Sequence, residues 1–407
     1  MSIRFIHAAD LHLGSPFKGF TGLSTELLEA VRESTFNAFR TLIRHAVETR
    51  PDFMLIAGDI YDGEDRSLKA QEVFRKGMEE LASAGIPVFM SHGNHDHLAG
   101  RWVRFSLPEN VRVFGPEVGT FSLEARGKTV RIHGFSYPER HVTEPVIGDY
   151  PEATANDGTI HIGMLHGSIR GDEVHDVYAP FSIGELLSKN YDYWALGHIH
   201  KRSLLSEEPP VVYPGNIQGL HRNETGVRGF YEVTIGEGSP ALTFIPSSAL
   251  VFGRVEVPCE GIRHADEWIS ACLDALQRFH SKNGPGIADL VLTGIAPDDE
   301  LFSGAPGDEW VAFLREAAAD RLPGIGVHRL SFRKEPAVDM PVGLYRDVSH
   351  ELESWEEAEW KELFSDLYGH RQAYRYVEPA DADFIEEVKA EAERLLASGI
   401  GKGGTPE

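Results

Sequence analysis

Five short stretches of this sequence set oxygen and nitrogen ligands two or three residues apart, each beside a glycine or at the end of an apolar run. They are Asp10-Leu11-His12, Gly58-Asp59-Ile60-Tyr61-Asp62, Gly93-Asn94-His95-Asp96, His166 closing the run from His161, and Gly197-His198-Ile199-His200. Residues two apart in an extended segment face the same side, so Asp10 with His12, and His198 with His200, can act as pairs. Carboxylate, amide and imidazole donors without a thiolate suit an octahedral or five-coordinate binuclear site for Mn²⁺, Fe or Zn²⁺. Two such ions held about 3.5–4 Å apart can clamp a phosphate ester, acidify a bridging water and stabilise both attacking and leaving oxygens. One carboxylate must bridge them. Asp59 is the candidate, because it falls between the Asp10/His12 pair and the Asn94 turn in strand order. A lone histidine in a chain that has 19 of them carries little weight. The shared order and strand-end context make the set specific.

Such ligands need a scaffold that delivers successive strand ends to one edge. Ile3–Ala8, Phe53–Ala57 and Pro87–Met90 read as short buried strands, and Glu26–Thr49 and Lys69–Ala84 carry apolar residues at helical spacing. This alternation predicts βαβ units and a mainly parallel sheet, whose ligands sit at the carboxyl ends of the strands. From about Val111 the candidate strands shorten: Val111–Phe114, Thr129–His133, Thr159–Leu165, Asp192–Leu196, Val211–Tyr213 and Gly229–Ile235 suit a second, mixed sheet packed on the first. Beyond Ser247, a strand at Val251–Val257, a helix at Asp266–Phe279, a strand at Ala288–Thr293, a helix at Glu309–Ala319 and a strand at Val327–Phe332 predict a separate small unit. After Pro336 comes an acidic tail with helical signals. Ser354 and Glu357 fit a capping box, Trp360, Leu363, Phe364 and Leu367 share one face, and a second helix candidate starts at Asp383 and includes Ile385, Val388, Leu395 and Leu396. The predicted boundaries are 1–247 for the ligand-bearing domain, 248–335 for the small α/β domain and 336–407 for the tail.

Composition narrows the function classes. A chain of 407 residues is too long for one small module. Its net charge of −24 disfavours a broad basic surface, although cations in a site can still hold a polyanion. No apolar run approaches the roughly 20 residues that cross a bilayer. The first polar motif, at Asp10, comes too early for a secretory signal, so a cytoplasmic protein with no membrane association is expected. Cys259 and Cys272 alone make neither a disulfide framework nor a zinc knuckle.

In this order the five motifs resemble those of the calcineurin-like metallophosphoesterase superfamily. The opening Ala9-Asp10-Leu11-His12-Leu13-Gly14, the Gly58-Asp59-Ile60-Tyr61-Asp62 form and the long C-terminal extension are similar to the branch that holds SbcD-type DNA-repair exonuclease subunits and the YhaO-like bacterial proteins. The resemblance implies an α/β fold, a four-layer α/β/β/α sandwich with a small α/β capping domain and a helical C-terminal tail. It implies two divalent metal ions, Mn²⁺ first, with Fe or Zn²⁺ as alternatives. Asp10, His12, Asp59 and His200 would hold one ion, and Asp59, Asn94, His166 and His198 the other. His95 is implied as the catalytic histidine that stabilises the transition state or protonates the leaving oxygen, with Asp96 either orienting it or serving as a cap.

The same resemblance implies DNA as substrate and an SbcC-like coiled-coil ATPase as partner, docked on Trp355, Trp360, Leu363 and Phe364 of the tail. A homodimer through the helix at Glu26–Thr49 is a further expectation. Some nuclease members carry histidine at the position of Asp62, which leaves directionality on DNA open. Arg66, Lys69, Arg101 and Lys201 are candidates for holding phosphates, with Arg104, Arg202 and Arg222 also near the motifs; solvated surface charge is the competing reading. Two other functions compete. One is a phosphodiesterase or phosphatase for nucleotides or cyclic nucleotides, which the acidic surface favours. The other is a non-catalytic scaffold of a repair ATPase complex, which the full ligand set disfavours.

Overall fold

The computed structural model describes residues 2–17, 20, 22–63, 67–100, 103, 105–154, 158–170, 178–236, 239–294 and 307–333, together with Trp355, Leu363 and Val388. The three leading apolar runs form β1 (Ile3–Ala8), β2 (Phe53–Ala57) and β3 (Val88–Ser91), paired in parallel, with β4 (Val111–Val113) beyond β3. Their side chains alternate between two apolar layers, as a period of two demands. Ile6, Ala8, Met54, Ile56, Val88 and Met90 meet α1 (Thr25–Thr49) and α2 (Leu68–Ser83), which contribute Phe39, Leu42, Phe74 and Met78. Phe5, Phe53, Leu55 and Phe89 face the other way, against Ile132, Ile162, Met164 and Tyr193.

Those last residues belong to a second sheet, built from β5 (Gly119–Ala125), β6 (Lys128–Gly134), β7 (Ile160–His166), β8 (Tyr193–Gly197), β9 (Ser203–Glu207) and β10 (Pro210–Tyr213) in the order β5-β6-β7-β8-β10-β9. Its outer face packs Tyr137, Tyr150, Trp194 and Leu196 with Leu186 of α3 (Ile183–Ser188). Ser182 starts α3 with a capping box to Glu185. Helix, sheet, sheet and helix give the four-layer α/β/β/α sandwich.

Two strands assigned to the second sheet from the sequence, those at Val111–Phe114 and Gly229–Ile235, lie in the first. The first sheet runs β12-β11-β1-β2-β3-β4, where β11 (Gly229–Ile235) is antiparallel to β1 and β12 (Ala241–Pro246) closes a hairpin on it. The physical reason is burial on both faces: Phe230 enters the helix-side layer, whereas Val233 and Ile235 enter the layer between the sheets. Strands β5, β9 and β12 had no counterpart in the sequence reading. All three are sheet edges in antiparallel hairpins and mix half-buried with exposed residues, so no continuous apolar run marks them.

Packing divides the chain into two units, Met1–Pro16 with Leu28–Phe252, and Phe17–Leu27 with Gly253 onward. In the second, β13 (Val251–Pro258), α4 (Ala265–Asn283), β14 (Gly286–Thr293), α5 (Gly307–Arg321) and β15 (Ile325–Arg333) follow one another, and the strands form a sheet in the order β13-β14-β15. Trp268, Cys272 and Leu276 of α4 and Leu314 of α5 fill its core, where Cys259 and Cys272 are free thiols. Of the tail at 336–407, all but Trp355, Leu363 and Val388 lies outside the described residues, including the anchors Trp360 and Phe364. No helix among the described residues is long and apolar enough to cross a membrane.

A buried histidine makes the sandwich acid-sensitive. His7 on β1 is fully buried; its Nε2 lies 3.1 Å from the Leu196 carbonyl and its Nδ1 2.9 Å from the Tyr193 hydroxyl. A carbonyl only accepts, so Nε2 carries the proton and Nδ1 accepts from Tyr193. Burial pushes the His7 pKa down to about 3, against the opposing pull of the Leu196 carbonyl. Unfolded histidine titrates near 6.5, so between that value and 3 the unfolded chain binds a proton that the folded chain refuses. Stability from this group is therefore full above pH 6.5 and falls as the pH drops, by about 2 kcal/mol at pH 5. Urea unfolding at pH 7 and pH 5 should show this loss, and His7→Gln should remove it. An equal pH 5 deficit in the variant would discharge His7 from the account.

Candidate metal centre

The carboxyl ends of β1, β2 and β3 from one sheet, and of β7 and β8 from the other, bring the ligand motifs together. The backbone amides of Asp10 and His12 donate to the carbonyls of Gly58 and Asp59, at 3.2 and 3.0 Å, which carries the β1–β2 pairing into the loops. The amide of His198 donates to both oxygens of Asp10 at 3.0 and 3.1 Å and ties the second sheet to the first. Asp10, His12, Asp59 and His198 all take positive φ, at 51°, 42°, 49° and 99°, where a side chain strains the backbone. Glycine opens the remaining room. A Cβ on Gly93 would lie 2.3 Å from Asp59 Oδ1 and 2.6 Å from His166 Nε2, and one on Gly197 would lie 1.8 Å from the Ala57 carbonyl oxygen.

Asp59 stands between two groups of donors. Its Oδ2 is 3.7 Å from His12 Nε2 and 3.3 Å from His166 Nε2, while its Oδ1 accepts from the His95 amide at 3.0 Å. On the first side, His12 Nε2 and His200 Nε2 face each other at 3.0 Å. On the second, Asn94 Oδ1 lies 3.0 Å from His166 Nε2 and 3.3 Å from His198 Nδ1. Ligand atoms of Asp10, His12 and His200 converge within 4.8 Å of one another, and those of Asp10, Asp59 and His166 do the same.

The donor set fits divalent cations. Burial raises Asp10 to about 6, with His166 and His200 pulling it down. Burial also opposes ionisation of Asp59, but the charges of His166, His95 and His12 outweigh it and hold that carboxyl well below the usual range. His166 and His200 rise to about 9, because Asp59 for the one and Glu224 for the other outweigh burial. His12 falls to about 4 through burial, with His200 adding to the effect. His166 Nε2 points at the oxygens of Asn94 and Asp59, and His200 Nε2 points at another imidazole, that of His12. His12 Nδ1 is buried with no hydrogen-bond partner. Positive charge placed among these nitrogens and oxygens satisfies both sides at once, and the absence of thiolate matches hard or borderline ions.

Comparison with known proteins agrees with this geometry. The family model described as calcineurin-like phosphoesterase matches residues 3–202. The metallophosphoesterase YhaO of Bacillus subtilis is 36% identical over 406 residues, covering 97% of each chain. This chain belongs to the calcineurin-like metallophosphoesterase family. The metallophosphoesterase is also 27% identical over 269 residues to the DNA double-strand break repair protein Mre11 of Aeropyrum pernix, covering 63% of this chain and 61% of that one. Mre11 of Methanocaldococcus jannaschii is 25% identical over 228 residues, covering 54% and 58%.

Around the metallophosphoesterase core the remaining candidate residues take distinct places. His95 is about one-third exposed, with Nδ1 3.3 Å from Asp62 Oδ1 and its ring edge-on to His12. Burial lowers the His95 pKa, but the hydrogen bond to Asp62 and the charge of Asp59 raise it overall. Asp96, expected beside His95 or as a cap, accepts from the amides of Gly93 at 2.7 Å and Ile60 at 3.0 Å and meets His92 Nδ1 at 2.9 Å, bracing the turn that carries Asn94. The acid that meets the His95 ring is Asp62. The sequence contained Asp62 within a ligand motif but gave no sign of this pairing.

Glu224 was missed altogether. It meets His200 Nδ1 at 2.6 Å from a loop 24 residues downstream, with no motif to flag it. Among the phosphate-binding candidates, Lys69 is exposed, pairs with Glu33 and lies over the Phe36 ring, and Lys201 is exposed beside His200. Arg202 lies over the Phe244 ring at 3.8 Å. Arg66, Arg101 and Arg104 lie outside the described residues.

Proposed function

We propose that this chain is a manganese-dependent, two-metal phosphodiesterase that cuts DNA in repair, as exonuclease or endonuclease, together with an SbcC-like coiled-coil ATPase. The observation that carries the proposal is Asp59 set between two donor groups, with His95 held by Asp62 at their edge. Asp10, His12, Asp59 and His200 would hold one ion, and Asp59, Asn94, His166 and His198 the other. Bound as a pair, the ions supply Lewis-acid polarisation of the phosphoryl group and bring the pKa of water toward neutrality.

The chain's own residues do the rest. Asp59 contributes one negative charge to both ion positions, and its second hydrogen bond to the His95 amide fixes the turn. Asp62 accepts a hydrogen bond from Nδ1–H of the protonated His95 ring and favours its charged form, so that the proton on Nε2 can pass to the oxygen that departs. The DNA-repair relatives named above support the choice of a polynucleotide over a small ester. In the same reading, residues 248–335 select the shape of the DNA and the tail at 336–407 docks the ATPase. A second reading, a phosphodiesterase of nucleotides or cyclic nucleotides, draws support from the net charge of −24.

Full-length protein, stripped of metal and then supplied with Mn²⁺, should cut end-labelled DNA and bis-p-nitrophenyl phosphate, and a chelator should stop both. Cleavage of cyclic nucleotides without any cutting of DNA, even with the ATPase present, would sink the nuclease reading and establish the second. A chain ending at residue 335 should lose the ATPase in a pull-down. Equal recovery would remove the tail from that role.

A further inference from the structure

The two halves of the centre are backed differently. His166 Nδ1 lies 3.1 Å from the Ala57 carbonyl, a neutral peptide acceptor. His200 Nδ1 instead lies 2.6 Å from Glu224 Oε1, a carboxylate. The other Glu224 oxygen accepts from Asn216 Nδ2 and from the Leu220 amide, both at 2.7 Å, so the carboxylate cannot swing away. The loop that brings Glu224 in is itself fastened to His200. The Asn216 amide and the Arg228 guanidinium both donate to the His200 carbonyl. Gly215 makes the approach feasible, at φ 76°, because a Cβ there would lie 2.5 Å from that same carbonyl oxygen.

We propose that Glu224 is a positioning residue for the metal centre: it fixes the proton of His200 on Nδ1, so that Nε2 faces His12 and the ion they share. The inference rests on the two-ion reading above and deepens it. A carboxylate only accepts, so the proton between Glu224 and His200 belongs to the imidazole nitrogen. A histidine backed in this way is a stronger and better-oriented ligand than one backed by a peptide carbonyl. Glu224 therefore sets the affinity of the ion held by Asp10, His12 and His200 and leaves the ion at His166 largely alone.

The test is calorimetric titration of Mn²⁺ into metal-free, full-length wild type, Glu224→Ala and Glu224→Gln, with thermal unfolding of each metal-free protein as the check on folding. Wild type should take two ions; failure to do so would reject the two-ion reading itself. In Glu224→Ala one dissociation constant should weaken by about 10- to 100-fold and the other stay within about threefold, with Glu224→Gln between it and wild type. Two unchanged constants, or two weakened alike, would overturn the proposal. If Glu224→Ala does not fold, nitrogen NMR of the wild-type imidazoles decides, with His200 assigned through His200→Gln. A protonated Nδ1 on His200 is expected, and a bare Nδ1 would refute the role of Glu224.

Discussion

Asp59→Asn should lower turnover of a phosphodiester by about a thousandfold, or about 4 kcal/mol in the barrier, while the protein stays folded. The argument is one of charge and position. Asp59 offers one oxygen toward both His12 and His166 and the other to the His95 amide. Asparagine keeps an acceptor for that amide but brings no negative charge to the space between two cations, and its amide hydrogens oppose any cation on that side. The variant folds because asparagine fills the same space and keeps the turn's hydrogen bond, although it gives up the attraction of His166, His95 and His12 that holds the Asp59 carboxyl well below the usual range. Metal titration beside kinetics should show at least one ion weakened in the variant. Wild-type turnover in Asp59→Asn would refute the assignment of Asp59 as the shared ligand.

The second large effect separates proton donation from metal holding. His95→Gln should slow cleavage of DNA, whose departing oxygen is a poor leaving group, by about a hundredfold to ten-thousandfold. With a p-nitrophenyl diester the leaving oxygen needs no proton, so the loss should be far smaller. Metal stoichiometry should stay at its wild-type value, since Asp62 holds the His95 ring through Nδ1 at the edge of the two donor groups. Asp62→Asn should show the same preference for the good leaving group in weaker form, as it releases the ring without removing it. Equal losses on both substrates would reassign His95 from proton donor to structural support.

What the sequence made legible follows from the strength of local signals. The runs before Asp10, Asp59 and His95 are buried on both faces, so apart from Arg4 and His7 in β1 and Ser91 in β3 they are apolar and the ligands stand out at their ends. The pairing of Asp10 with His12 and of His198 with His200 could be read from spacing, because it depends on chain geometry alone. Glu224 could not, since its partner is reached through a turn held by Gly215 and Asn216, which leaves no periodicity. Nor could spacing show that Lys69, near a motif in the chain, pairs with Glu33 and lies over Phe36 of the neighbouring helix. The edge strands β5, β9 and β12 stayed hidden because half of each faces water.

The left-handed backbone at Asp10, His12, Asp59 and His198 bears on how this enzyme would respond to laboratory evolution. Glycine adopts such angles freely, and each replacement would relieve about 1 kcal/mol of strain, with a further gain at Asp10, whose carboxyl burial raises to about 6. Randomised libraries sorted only for heat resistance in chelating buffer would therefore collect glycine at these four positions and return rugged, inert proteins. The same libraries sorted with Mn²⁺ present would keep the ligands, because bound ions add their own binding energy to the folded form.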